Sequence, residues 1–359
     1  MAELQRTGCK VIAACKPNSK IEQFLLKHGV ECCHLPKYSK FSFASLRYVR
    51  KLMREQKVDV VHAHFHKDIW LPSIALRNDL RCKLFLSVYM GVISKNDFLH
   101  RWIYKRVDGI FTSSEELNKK LQVLYPVPKE IIHFVPYGKK LELYVRNESA
   151  RKRIRSQYQM RDDEVLVGTT VRIDPGKGVL DFARSFSYLD AQTQSKVKYI
   201  IVGEPTRKGQ RKPDEPPYEP HCEAYLQEIK KYVADNKLEG RVIFTGYRDE
   251  VTDYLSAMDM YVFPSRDEMY SISVLEAMAA SLPIVAANAG GNLEQVRDGV
   301  NGLLFEVDDS KDIATKIAYY LQHPEKRSQH GAAALSFVEQ RHDMRRTIEQ
   351  LLKFYSGNA

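Results

Sequence analysis

No stretch of this 359-residue chain approaches the roughly 18 consecutive apolar residues that a bilayer-spanning helix needs. The residues after Met1, Ala-Glu-Leu-Gln-Arg, do not form the apolar core of a secretion signal, so export is not expected. The six cysteines (Cys9, Cys15, Cys32, Cys33, Cys82, Cys222) contain no CxxC pair. Neither a zinc ribbon nor a thioredoxin-type redox site is written here, and the thiols read as reduced groups in a cytoplasm. No G-x-G-x-x-G follows an early strand, which argues against a dinucleotide-dependent oxidoreductase. RNP, KH and helix-turn-helix signatures are missing too, which leaves a basic nucleic-acid-binding α/β protein as a remote reading only. With 44% hydrophobic and 28% charged residues, the composition is that of a globular chain and not of a low-complexity polymer.

What is present is length, alternation and an uneven charge. The length points to two domains, expected at residues 1–150 and 151–335, with 336–359 as a closing helix packed back on the first. Short apolar runs recur between amphipathic stretches: Lys10–Ala14, Val58–Ala63, Lys83–Val88, Gly109–Thr112 and Ile131–Val135 in the first part. Val165–Val171, Lys198–Val202, Arg241–Phe244, Met260–Phe263, Ile284–Ala287 and Gly302–Phe305 continue the pattern in the second. Strands of this kind are buried on both faces, so two doubly wound, Rossmann-like parallel α/β domains are expected, facing a cleft lined by the carboxyl ends of their strands. Residues 1–150 hold 26 Lys+Arg against 14 Asp+Glu, a net +12, which leaves −2 for the remainder of a chain whose total is +10. The basic part reads either as a solvated lysine-rich surface or as a face for an anionic partner such as phospholipid headgroups or a phosphorylated acceptor. Pro205–Pro220, with a basic run from Arg207 to Lys212, is expected to be an exposed loop.

The segment Pro264–Ala279 carries the chemistry. A strand ends, Glu268 falls in a loop, and Glu276 lies eight residues further on, on a helix. A carboxylate can accept both hydroxyls of a ribose, and free amides at a helix start can hold sugar hydroxyls or phosphate oxygens. The spacing alone is equally that of two solvated surface acids. After the first strand of the second domain comes Gly168-Thr-Thr-Val-Arg172-Ile-Asp-Pro-Gly-Lys177-Gly178, which sets two cations and a pliant backbone beside a helix start. Arg172 offers a planar fork and Lys177 a point charge to a departing nucleoside diphosphate; a purely structural arginine is the alternative.

Together these stretches resemble the retaining glycosyltransferases of family 4, which have the GT-B fold. The resemblance runs through Val61-His-Ala-His64, Val135-Pro-Tyr-Gly138, Arg172–Gly178, Phe244-Thr-Gly-Tyr247, the Glu268/Glu276 pair at the E-x7-E spacing, Ala289–Glu294 and Asp298–Leu304. It implies that Arg172 and Lys177 bind the donor diphosphate, Glu276 the ribose, and Glu268 the sugar beside its reacting carbon. The backbone of Gly246 and Tyr247 would meet the nucleobase, and the amides of Tyr270, Ser271 and Ile272 the sugar or phosphate. It further implies transfer with retention, assisted by the leaving diphosphate, and no cofactor or metal beyond a nucleoside-diphosphate sugar, UDP or GDP, as co-substrate. The acceptor expected is a hydroxyl of an envelope polysaccharide, lipopolysaccharide or lipid-linked glycan, with peripheral contact to the inner face of an anionic membrane. Other GT-B enzymes, namely a sugar-nucleotide 2-epimerase, a glycogen-type synthase or a phosphorylase, are the alternative.

The sequence departs from the family pattern in places. Tyr89 stands where many members have histidine, Met269 and Ser271 replace small residues, Lys140 replaces an aspartate and Leu293 a proline. In the first domain, His62, His64, His66, Lys67 and Asp68 follow one strand, and Lys95, Asp97 and His100 follow Tyr89. His64, Lys67, Asp68, Tyr89, Lys95 and His100 are candidates for the acceptor or sugar side, with packed or solvated side chains the competing reading. Alternating histidines without a following glutamate do not make a metal site. Family members open with an apolar strand and a glycine loop, whereas Ala2–Val11 already reads as the end of the next helix and the start of the second strand. About twenty preceding residues and a central strand are therefore expected to be missing, with poor solubility or activity for a protein that begins at Met1.

Overall fold

The computed structural model describes residues 1–90, 93–209 and 217–357. The chain divides into two compact units, Met1–Gly138 with Arg345–Ala359, and Lys139–Met344. Among the described residues twelve strands run β1 Ile12–Ala14, β2 Glu31–Cys33, β3 Val60–Ala63, β4 Lys83–Val88, β5 Gly109–Thr112, β6 Ile132–Phe134, β7 Val165–Thr170, β8 Val197–Val202, β9 Val242–Gly246, β10 Met260–Phe263, β11 Ile284–Ala287 and β12 Gly302–Phe305. Every ladder among them is parallel. All but β2 coincide with the apolar runs of the sequence. Strand β2 was unmarked because it spans three residues, opens on a glutamate and reads Glu-Cys-Cys.

In the second unit the sheet order is β12-β11-β10-β7-β8-β9. The chain winds outward one way from β7 to β9, then crosses back to β10 and winds the other way. That is the doubly wound order, whose reversal lies between β7 and β10. Loops leaving the carboxyl ends of these two neighbours run side by side at the carboxyl-end crevice where doubly wound sheets take ligands, which places Val171–Gly178 beside Pro264–Ser271. The core behind them is sealed by fully buried strand residues such as Val167, Tyr199, Ile201, Val262 and Val285, with Phe182 stacked on Tyr199 at 4.5 Å. Buried Tyr261 uses its hydroxyl to tie β10 to β7, at 2.9 Å from Thr170 Oγ1 and 3.1 Å from its carbonyl.

In the first unit, β3-β4-β5-β6 form one sheet and β1-β2 another. Among the described residues no ladder joins β1 to β3; a side-chain bond from Lys10 Nζ to Gln56 Oε1 at 2.6 Å links their approaches. Strand β4 is buried except at Lys83, whereas Val60, Val61 and His62 of β3 are only half-buried. The closing helix Met344–Ser356 belongs to this unit from Arg345 onward and sets Leu351, Phe354 and Tyr355 on Phe85, Phe111 and Val135.

The proline-rich segment is only partly a loop. Arg207 and Tyr218 pair as an antiparallel bridge, and Pro220 opens the helix Pro220–Asp235, where its missing N–H costs nothing. Arg211 and Lys212 of the basic run lie outside the described residues. Among the described residues no helix is long and apolar enough to cross a membrane.

Candidate active site

At the reversal between β7 and β10 the second unit gathers the acids and cations singled out in the sequence. Asp174 caps the tight turn Pro175–Lys177, its Oδ1 accepting from the Gly176 amide at 3.1 Å. Gly178 follows at φ +63°, and a Cβ there would lie 2.3 Å from the Pro264 carbonyl oxygen. The two loops therefore touch at backbone level, and Lys177 reaches across to Glu268 as an ion pair. Ser265 Oγ donates to the same carboxylate oxygen at 3.2 Å. Lys177 and Glu268 are mostly buried, with 17% and 22% of their side chains exposed. Arg172, on the same loop, is exposed and makes no ion pair among the described residues.

The second glutamate sits on the helix Ile272–Ala279, which Ser271 caps by accepting from the Val274 amide at 3.3 Å. Glu276 Oε1 accepts from Lys139 Nζ at 2.6 Å and from the Tyr144 hydroxyl at 2.9 Å. Burial pulls the Lys139 ammonium down, but the Glu276 carboxylate beside it prevails and holds it above the ordinary lysine value. Both partners use Oε1. Lys139 and Tyr144 were missed in the sequence, since they precede Glu276 by more than 130 positions and carry no motif.

The loop bearing Glu268 is also held from the far side. Gly291 donates to the Glu268 carbonyl at 2.8 Å. A Cβ on Gly290 would lie 2.7 Å from that oxygen, and one on Gly291 2.1 Å from the Met269 carbonyl. Gln295 grips Ser271 twice, its Oε1 accepting from the Ser271 amide and its Nε2 donating to the Ser271 carbonyl, both at 2.8 Å. The expectation that the Ser271 amide meets a ligand needs correction, because that donor is already paired with Gln295. Tyr270 is buried, with its hydroxyl 2.8 Å from His342 Nε2, while Ile272 is exposed at the helix start. Asn292, fully buried, bridges the carbonyls of Ser265 and Ala287 at 3.0 Å each. Gly246 ends β9 at φ +70°, and Tyr247 beside it is exposed with its hydroxyl on Asp249.

The candidates of the first unit have partners within that unit. His62 bonds Tyr355 at 2.6 Å through Nδ1 and Ser87 at 2.8 Å through Nε2, and stacks on His64 at 4.5 Å. With both ring nitrogens engaged, His62 is a packing histidine. Burial, and then the nearby amino terminus, pushes His64 down to about 4. Tyr89 stacks on Tyr137 at 5.2 Å, and burial raises its phenol. Burial likewise raises Asp68, against the pull of Lys16 and Lys67. His66 is lowered by burial and then by Lys95, Lys67 and Lys40, which places three lysines in its neighbourhood. His100 bonds Asp97, the cap of the helix Phe98–Tyr104, and lies 5.1 Å from the Trp70 ring. Its local partners favour the packed alternative for this side chain.

The family model described as glycosyl transferases group 1 matches residues 150–337, and that described as glycosyltransferase family 4 matches residues 1–142. The lipopolysaccharide core biosynthesis mannosyltransferase LpcC of Rhizobium leguminosarum bv. viciae is 24% identical over 285 residues, 79% of this chain and 74% of its own. The UDP-Gal:alpha-D-GlcNAc-diphosphoundecaprenol alpha-1,3-galactosyltransferase of Escherichia coli is 25% identical over 281 residues, 74% of this chain and 67% of its own. Anabaena Alr3699/HepE, crystallised in complex with UDP, superposes with a TM-score of 0.82 at 20% identity, covering 96% of this chain and 92% of that one. Two parallel Rossmann-like units and two family models spanning both of them lead to one assignment: this chain belongs to the group 1, family 4 glycosyltransferases and is a glycosyltransferase with the GT-B fold.

Proposed function

We propose that the second unit binds a nucleoside-diphosphate sugar, UDP-linked in the first instance, at the reversal between β7 and β10. The observation that carries this reading is the Lys177–Glu268 pair at the touching loops, with Glu276 further along on the capped helix. An ammonium has three donors, so Lys177 can hold Glu268 and still give two to phosphate oxygens. Arg172, unpaired and exposed, supplies a planar fork to the same diphosphate. Glu276 takes a ribose hydroxyl through Oε2, and Gly246 and Tyr247 border the base. Glu268 holds the sugar beside its anomeric carbon. In the transfer, the bond from that carbon to the phosphate oxygen breaks and the acceptor oxygen bonds to the carbon on the same face. The acceptor proton passes to the departing phosphate, whose growing charge Arg172 and Lys177 offset.

The acceptor we infer is a lipopolysaccharide-core or lipid-linked glycan. The first unit supports it with exposed Phe43 and Phe98, 85% and 83% accessible, and with Phe41 and Phe65 among the lysines around His66. Aromatic rings interleaved with lysines suit an anionic lipid surface. The relatives named for lipopolysaccharide core and diphosphoundecaprenol substrates point the same way.

A melting panel with UDP, GDP, ADP and CMP sugars tests the donor. A sugar nucleotide at 100 times its Kd stabilises by about 2.7 kcal/mol, so one base should stand out. A flat response to all four defeats the donor assignment. Transfer of labelled sugar to a lipid-extracted acceptor fraction then tests the acceptor class.

A further inference from the structure

We propose that Asp174, His221 and Cys222 form a binding site for a divalent transition metal, zinc being the one whose ligand chemistry they match. Asp174 stands in the loop after β7, and His221 and Cys222 lie in the first turn of the helix Pro220–Asp235. Folding brings Cys222 Sγ to 3.4 Å from Asp174 Oδ2 and 3.2 Å from His221 Nε2, and the three ligand atoms all lie within 4.8 Å of one another. Zinc bonds of about 2.3 Å to sulfur and about 2.0–2.2 Å to nitrogen or oxygen place tetrahedral neighbours about 3.3–3.6 Å apart. The two distances to sulfur match this spacing within a few tenths of an ångström, and the carboxylate and imidazole, within 4.8 Å of each other, close on the ion by a side-chain turn of the exposed His221.

The surroundings are those of a prepared site. The carboxylate cannot turn freely, because its Oδ1 accepts from the Gly176 amide at 3.1 Å while Thr206 Oγ1 donates to Oδ2 at 3.4 Å. Fixing a ligand through its remaining hydrogen bonds is how proteins orient metal donors. Cys222 is fully buried and His221 is exposed, so the sulfur is shielded while the imidazole side offers an entry path and a fourth position for water. One sulfur, one nitrogen and one carboxylate oxygen suit zinc and disfavour magnesium or calcium, which prefer all-oxygen shells. Bound metal would fasten the Ile173–Gly178 turn to the start of the helix Pro220–Asp235. This holds whatever donor the neighbouring crevice takes, since none of the three ligands belongs to the proposed donor contacts.

The test uses the full chain, reduced and freed of metal with a chelator, and titrated with Co2+ and then Zn2+. One equivalent of Co2+ should produce thiolate-to-cobalt charge-transfer absorption, and Zn2+ should displace it and raise Tm. Cys222→Ser should abolish the absorption. His221→Ala, at an exposed position that leaves the core intact, should weaken Co2+ affinity by about tenfold or more. Absence of the charge-transfer absorption overturns the proposal. So does absorption that His221→Ala leaves at full affinity, because the metal would then be held by other thiols.

Discussion

Two carboxylates eight positions apart differ in what surrounds them. Glu268 is held by Lys177 and Ser265, on the loop where the sugar would react, whereas Glu276 is held by Lys139 and Tyr144 on a helix. Glu276→Ala should therefore weaken nucleoside-diphosphate binding by about 1.5–3 kcal/mol, as for a lost charged hydrogen-bond partner, while Glu268→Ala lowers turnover more than affinity. Titration calorimetry beside steady-state kinetics separates them, and equal effects on affinity would refute the division. Arg172→Ala and Lys177→Ala should each remove about 2–4 kcal/mol of transition-state stabilisation in kcat/KM with melting behaviour kept. Near-native kinetics in both would remove the diphosphate from this loop. His64 makes a pH prediction. Its folded pKa is about 4 against an ordinary 6.5, so as pH falls the unfolded chain takes up the proton first. Stability should decline from about pH 6.5 toward 4, by on the order of 2 kcal/mol from this group, and His64→Asn should flatten melting curves over that window. An unchanged slope would mean that His64 is not kept neutral by the fold.

At the scale of elements, the site is made by loops that approach without side chains between them. Gly178 touches the Pro264 backbone and Gly291 that of Met269, each closer than a Cβ permits. Gly291→Ala has no flexible neighbour to displace, only backbone, so the Glu268 loop must move or the chain must lose about 1–3 kcal/mol. Loss of donor binding with a lowered Tm is expected, measured by melting with and without UDP; unaltered donor stabilisation would show that the loop position is not needed. Gln295 belongs at this scale as well, because it fixes Ser271, which in turn starts the helix carrying Glu276.

At the scale of the whole molecule, charge and apolar exposure coincide in residues 1–150, most of which form the first unit. Their +12 would be a solvated surface if no apolar groups accompanied it, but Phe41, Phe43, Phe65 and Phe98 stand exposed there. The full chain should sediment with anionic vesicles at low salt and be released near 0.5 M, where the screening length is about 4 Å. Replacing Phe43 and Phe98 together with serine should reduce sedimentation without changing the salt midpoint for the remainder. Sedimentation unaffected by either salt or the double substitution would refute a lipid-facing role for this unit.

Eleven of the twelve strands were legible in the sequence, because a strand buried on both faces must be written in apolar residues. Parallel α/β units follow from strands alternating with helices, the doubly wound order being seen in the second, and the E-x7-E spacing with Arg172 and Lys177 is local enough to be read along one chain. The sequence could not assign partners. That Lys177 meets Glu268, that Lys139 and Tyr144 meet Glu276, or that Gln295 takes the amide expected for a ligand depends on the sheet order. The crossing from β9 back to β10 sets two loops side by side that are some ninety residues apart in the chain. Asp174, His221 and Cys222 converge for the same reason, on a loop and a helix start that follow neighbouring strands β7 and β8. Local chemistry decides which segments become strands and which residues are competent, whereas strand order decides which of them share a site.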